Sequence, residues 1–138
     1  LRIVEALCRN CIVSRTRRFE TSAPAYRGFM PRPLRIQAAG AIYHIAARGN
    51  SGRPIFLDDR DRKLFLTLFG MTVARYGWHC YGFCLMTTHY HLLVMTPEAN
   101  LARGMQFLNG LYAQRFNKRH ANEGHVFRGR YQSTLVEG

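Results

Sequence analysis

The chain has 138 residues, 47% of them hydrophobic, which is enough for one domain with its own core and too apolar for a disordered chain. Lys and Arg number 20 against 8 acidic residues, for a formal charge of +12, and an excess of that size points to a polyanionic partner because each neutralised phosphate releases counterions. No stretch is apolar over the length of a membrane span, no basic amphipathic helix stands out, and residues 1–29 lack the continuous apolar core of a secretory signal.

Residues 1–29 show no sustained helical or strand period. They are expected to be a non-native or disordered extension, with the folded domain spanning 30–138 and opening at Met30 in MPRPLRIQ. The alternative is a basic arm, carrying Arg15, Arg17 and Arg18, that orders on nucleic acid. Cys8 and Cys11 form a CxxC here. A four-cysteine zinc site with Cys80 and Cys84 is conceivable, but the second pair lacks the tight spacing such sites use, and buried thiols are the favoured account.

GAIYHIAARGN (40–50) alternates in part and predicts a strand, closed by the turn signal Arg48-Gly49-Asn50. Asp58 and Asp59 then precede RDRKLFLTLFGMTVARYG, a predicted helix with a stripe of Leu64, Leu68 and Met71, near Phe65 and Val73. The aspartates suit its N-terminus and Gly77 its end. WHCYGFCLM (78–86) and HYHLLVM (89–95) predict two strands in an antiparallel hairpin, broken at Thr87 and Thr88 and closed by Thr96 and Pro97. A second helix is predicted over 100–122, with Asn100 at its N-cap, Leu101, Met105, Leu108, Tyr112 and Phe116 as its apolar stripe, and Lys118, Arg119 and His120 in its last turn. GHVFRGRYQSTLVEG (124–138) predicts one or two short strands, read as a closing hairpin. The order strand, helix, strand, strand, helix, strand is that of an α+β fold, a ferredoxin-like or RRM-like antiparallel sheet with two helices.

His89 and His91 stand two apart on the third strand and therefore share a face, with Leu93 and Met95, while Tyr90, Leu92 and Val94 take the other. Two imidazoles at that spacing can converge on one divalent metal, but a two-residue match is weak by itself, and two hydrogen-bonded structural histidines explain it as well. His44 and His79 are read as structural. Arg48 and Asn50 in their glycine-containing turn can offer a guanidinium and backbone N–H groups to phosphate. His125, Arg128 and Arg130 alternate with Phe127 and Tyr131, a mix that suits single strands through stacking and charge. Lys118 and Arg119 can face phosphate or complement the helix dipole.

MTTHYHLLVMTP resembles the HUH segment of the IS200-like, single-tyrosine transposases, in the version of their REP-associated tyrosine transposase branch. YHIAARGNSGRPIFLDDRDRKLFLTLF is similar to the family's first strand, loop and helix, and NLARGMQFLNGLYAQRFNKRHANEGHVFRGRYQSTLVE to its second helix and following hairpin; the likeness runs from about Met30 onward. It implies that His89 and His91 bind Mg2+ or Mn2+, with Tyr90 in the place of the intervening hydrophobic residue. It further implies metal-assisted cleavage and rejoining of single-stranded DNA through a 5'-phosphotyrosine intermediate, without a nucleotide cofactor. The implied partners are single-stranded DNA or imperfect DNA hairpins at REP sequences or element ends and, in many members, a second copy of the chain. The implied location is the bacterial cytoplasm. In this family the nucleophilic tyrosine follows the last hairpin, so it is expected beyond Gly138, in a part that would make the domain as given truncated. Tyr112 and Tyr131 do not match its place. The alternative from a different class is a non-catalytic nucleic-acid-binding module with a split βαβ fold; the paired aromatics that an RRM carries on its central strands are here replaced by His89 and His91.

Overall fold

The computed structural model describes residues 37–136; the expected N-terminal extension, with its arginines and the Cys8–Cys11 pair, lies outside them. The elements run β1 (Ala41–Arg48), a 3-10 turn (Asn50–Gly52), α1 (Asp59–Tyr76), β2 (His79–Leu85), β3 (His89–Thr96), α2 (Leu101–His120) and β4 (Gln132–Leu135). The strands form one sheet in the order β2-β3-β1-β4 with every neighbouring pair antiparallel. This is the sheet order of a split βαβ fold. In the central pair Ala46 faces His91 and Arg48 faces His89.

Alternation along the two central strands divides the sheet into two different faces. Tyr43, Ile45 and Ala47 of β1 and Tyr90, Leu92 and Val94 of β3 are buried. They pack against Phe65, Leu68 and Phe69 of α1 and Leu101, Met105, Leu108, Tyr112 and Phe116 of α2 in one core. Phe65 contacts the ring of Tyr90 at 4.6 Å. His44, Ala46, His91 and Leu93 lie on the opposite face and are half-buried.

The helix boundaries follow from capping. The Asp58 carboxylate accepts the N–H of Asp61 at 3.0 Å, and Gly77 closes α1 in the left-handed region (φ 70), where glycine alone pays no Cβ penalty. The predicted α1 stripe needs correction. The buried positions are Asp61, Phe65, Leu68, Phe69 and Thr72, whereas Met71 is 49% exposed. The inward face is set by the spacing 61, 65, 68, 72, and two of those four residues are polar, which hides the face from an apolar pattern. Asn100 does precede α2, but its side chain does not cap the helix. It accepts from Trp78 Nε1 (2.8 Å) and donates to the Tyr76 carbonyl (2.9 Å), tying the start of α2 to the turn after α1. Gly104 lies against the Trp78 ring so closely that a Cβ would stand 2.1 Å from it.

Of the one or two short strands expected in the closing segment, one forms, and it does not close as a hairpin. That strand, β4, pairs with β1, while Phe127 forms an isolated bridge to Gly49. The chain is drawn to the end of β1 rather than back onto itself. A bulge between Cys80 and Gly82 breaks the alternation of β2, so that Cys80 pairs with Val94 and Cys84 with His91. The two thiols therefore do not share the face expected from an unbroken strand. No helix among the described residues is long and apolar enough to cross a membrane.

Candidate metal and nucleic-acid site

The end of the β1–β3 ladder is locked by backbone bonds from three segments. Gly49 N–H donates to the Thr88 carbonyl (2.8 Å) and Ile55 N–H to that of Thr87 (2.8 Å). Asn50 N–H donates to Val126 and Arg128 N–H to Arg48, both at 2.8 Å. Only glycine fits at 49, because a Cβ there would meet the Arg53 carbonyl oxygen at 2.0 Å. The lock gathers Arg48, Asn50, His89 and the 125–130 segment at one corner of the sheet. Arg48, His125, Arg128 and Arg130 are all exposed there. Lys118 and Arg119 sit instead in the last turn of α2, and Arg119 is engaged: its guanidinium donates to Asp58 (2.6 Å) and Asp61 (2.5 Å).

His89 and His91 share the face opposite the core, with ring centroids 5.1 Å apart and planes nearly perpendicular. Each has its Nδ1 occupied. Nδ1 of His89 lies 3.1 Å from Thr88 Oγ1, and Nδ1 of His91 lies 2.9 Å from Nε2 of His44. Neither Nε2 has a hydrogen-bond partner among the described residues. A hard divalent cation needs from imidazole a lone pair on an unengaged nitrogen with the other nitrogen held, and in both rings Nε2 is the nitrogen open to supply it. Among the described residues no group of three or more His, Cys, Asp or Glu is arranged to hold an ion. The two imidazoles therefore fit as two ligands of a larger set, with the remaining positions open to water or phosphate oxygens. His44, read from the sequence as structural, is brought onto the same face by the antiparallel pairing of β1 with β3.

Burial, and then the neighbouring His44, His89 and Arg48, push the His91 imidazole down to about 4, and burial followed by Arg48 lowers His89 as well. Both rings are thus neutral and able to bind metal at neutral pH. The shift has a stability consequence whose sign is fixed. The unfolded imidazole takes a proton near 6.5, while the folded one stays neutral down to about 4. The unfolded state therefore binds more protons throughout that window, and stability falls as pH is lowered through it. At a half-buried, solvent-screened site the loss is expected to be about 1–2 kcal/mol. Urea unfolding of the metal-free protein at pH 7 and 4.5, compared with His91→Gln, checks this; equal pH dependence in the two proteins would refute it.

Among the described residues the tyrosines offer no obvious nucleophile on this face. Tyr43, Tyr90, Tyr112 and Tyr131 are buried. Tyr90 donates to Asn109 Oδ1 (2.5 Å) and Tyr112 to the Ile55 carbonyl, and burial pushes both phenols well above their ordinary value. Tyr81 is 58% exposed but lies on β2 toward the opposite end of the ladder from His89.

The sequence profile of the family described as "Transposase IS200 like" matches residues 37–138. No curated protein matches the chain in sequence. Among solved structures, one of a REP-associated tyrosine transposase bound to a REP hairpin superposes with a TM-score of 0.64 at 9% identity, covering 79% of this chain and 64% of that one. The chain thus spans less than two thirds of that protein's length. A crystal structure of a candidate transposase from Deinococcus radiodurans R1 gives a TM-score of 0.60 at 17% identity, covering 78% of this chain and 87% of the other. At these identities the likeness is one of fold.

Proposed function

Because the chain belongs to the IS200-like transposase family, we propose that it binds folded single-stranded DNA and serves metal-dependent cleavage and rejoining of that strand through a phosphotyrosine intermediate. The observation that carries this reading is the pair of free Nε2 atoms on His89 and His91 beside a corner of exposed arginines. When bound, Mg2+ or Mn2+ would act as a Lewis acid on the scissile phosphate and its leaving oxygen. The chain's own residues orient that centre: Thr88 and His44 hold the two rings, and the Gly49 lock fixes the strand end that carries them. Arg48 and Arg128, with Arg130, His125 and the backbone at Asn50, are proposed to hold the phosphates of the strand. Arg119 would contact DNA only by leaving its carboxylates, so its main part is structural. The tyrosine nucleophile is proposed to come from outside residues 37–136. The structural relative bound to a REP hairpin supports an imperfect DNA hairpin as the partner class. A second copy of the chain is a further proposed partner. Residues 30–138 are proposed as the folded unit.

The test is binding of fluorescent DNA hairpins, linear single strands and duplexes across a salt series. Hairpins are expected to bind best, with log K falling linearly in log salt. Arg48→Ala and Arg128→Ala should each weaken binding of all sequences alike and flatten the salt slope by about 1. Salt-independent affinity, or no preference among the three DNAs, would sink the reading. A denaturation-resistant DNA adduct on Tyr112 or Tyr131 would refute the placement of the nucleophile.

A further inference from the structure

We infer that His44 is a positioning residue for the metal centre, holding the His91 ring through its Nδ1 so that Nε2 presents a lone pair to the ion. This rests on the reading of His89 and His91 as metal ligands. His44 and His91 are diagonal neighbours across the central antiparallel pair, since Ala46 faces His91 and His44 faces Leu93. Their ring planes are nearly parallel, 11° apart with centroids at 5.1 Å, and His44 Nε2 lies 2.9 Å from His91 Nδ1, so the rings meet edge to edge.

Only one hydrogen can lie between those two nitrogens. A neutral imidazole carries its proton on one nitrogen and its lone pair on the other. If His91 binds an ion through Nε2, its proton is on Nδ1, His44 Nε2 accepts it, and the proton of His44 is on its own Nδ1. If His44 donated instead, His91 would carry its proton on Nε2 and could not bind an ion there. The tautomer of His44 and the ligating atom of His91 are therefore one choice, not two. Ala46, directly opposite His91, has no polar atom beyond its backbone with which to hold the ring. His44 is not placed as a ligand itself, because its Nε2 points at the edge of His91 away from the ligating nitrogen. Partners of this kind fix ring orientation and raise ligand basicity at metal sites. Thr88 does the corresponding work for His89.

The experiment measures Mn2+ affinity of the full chain by electron paramagnetic resonance, for wild type, His44→Phe, His44→Gln and His91→Ala. Phenylalanine keeps a flat aromatic ring at this position and removes the acceptor; glutamine keeps an acceptor oxygen. His44→Phe is expected to weaken Mn2+ binding by about 10–100-fold, with His44→Gln recovering most of the loss. The ring 15N shifts of metal-free wild type should report His91 protonated on Nδ1. If His44→Phe binds Mn2+ like wild type while His91→Ala does not, the positioning role is overturned and the ligand reading stands. If His91→Ala binds like wild type, the ligand reading fails first. If His44→Phe and His44→Gln both lose binding as completely as His91→Ala, His44 is a ligand and the inference is wrong. Should a variant fail to fold, the wild-type shifts still decide: His91 protonated on Nε2 overturns the proposal.

Discussion

Replacing Asp61 with alanine is expected to destabilise the domain by about 3 kcal/mol, the lower end of the range for removing one partner of a buried ion pair. Asp61 is fully buried. Its Oδ2 accepts the Leu57 N–H (2.8 Å) and His120 Nε2 (2.8 Å), and its Oδ1 accepts Arg119 Nη1 (2.5 Å). These bonds join the first turn of α1 to the last turn of α2. Alanine leaves the Leu57 N–H without an acceptor and opens a void beside it. The loss stays at the low end because Arg119 keeps Asp58, whose carboxyl the guanidinium holds well below the usual carboxylate range. For a domain of roughly 100 residues the melting temperature should fall by about 12 °C or more. Asp59→Ala is the control. Its carboxylate is 70% exposed and among the described residues pairs only with Arg62 at 3.6 Å, so its removal should cost less than about 0.5 kcal/mol. Thermal unfolding of both variants decides: equal shifts would mean that the buried network does not hold the helices together.

That network also marks where the sequence ceased to be legible. Six elements in order could be read because their signals are local: Asp58 and Gly77 bound α1, and alternation assigns Tyr90, Leu92 and Val94 to the core and His91 to the other face. The helix stripe of α2 was legible for the same reason, since all five of its apolar positions are buried. Asp61 was not, because a buried carboxylate interrupts the apolar pattern, and its partners Arg119 and His120 lie nearly sixty residues away. In the last turn those cations resemble dipole complements, and only tertiary packing shows that they reach Asp58 and Asp61. The place of His44 was hidden by the same kind of distance. The residue comes beside His91 only through the register of two strands separated by a helix and a third strand. Of the one or two short strands expected in the closing segment, β4 was legible, whereas the contact of Phe127 with the turn at Gly49 was not, because no local pattern announces it.

Loss of either candidate ligand should have the largest effect of all. His89→Ala and His91→Ala are each expected to weaken Mn2+ binding by at least about 100-fold, since losing a ligand costs more than losing the partner that orients one. Each substitution leaves a single imidazole, and among the described residues no third His, Cys, Asp or Glu is arranged to replace the missing one. Proton competition does not soften the loss, because both rings are already neutral at pH 7. His79→Ala is the matched control: that ring is exposed, pairs opposite Met95 toward the far end of the ladder, and should leave Mn2+ affinity unchanged. Hairpin DNA binding in EDTA should also survive His89→Ala and His91→Ala, because the phosphate contacts are assigned to arginines held by the Gly49 lock and not to the imidazoles. Parallel loss of metal-free DNA binding would mean that the two histidines shape the corner itself. Mn2+ binding equal to wild type in both variants would remove the metal centre from this face of the sheet.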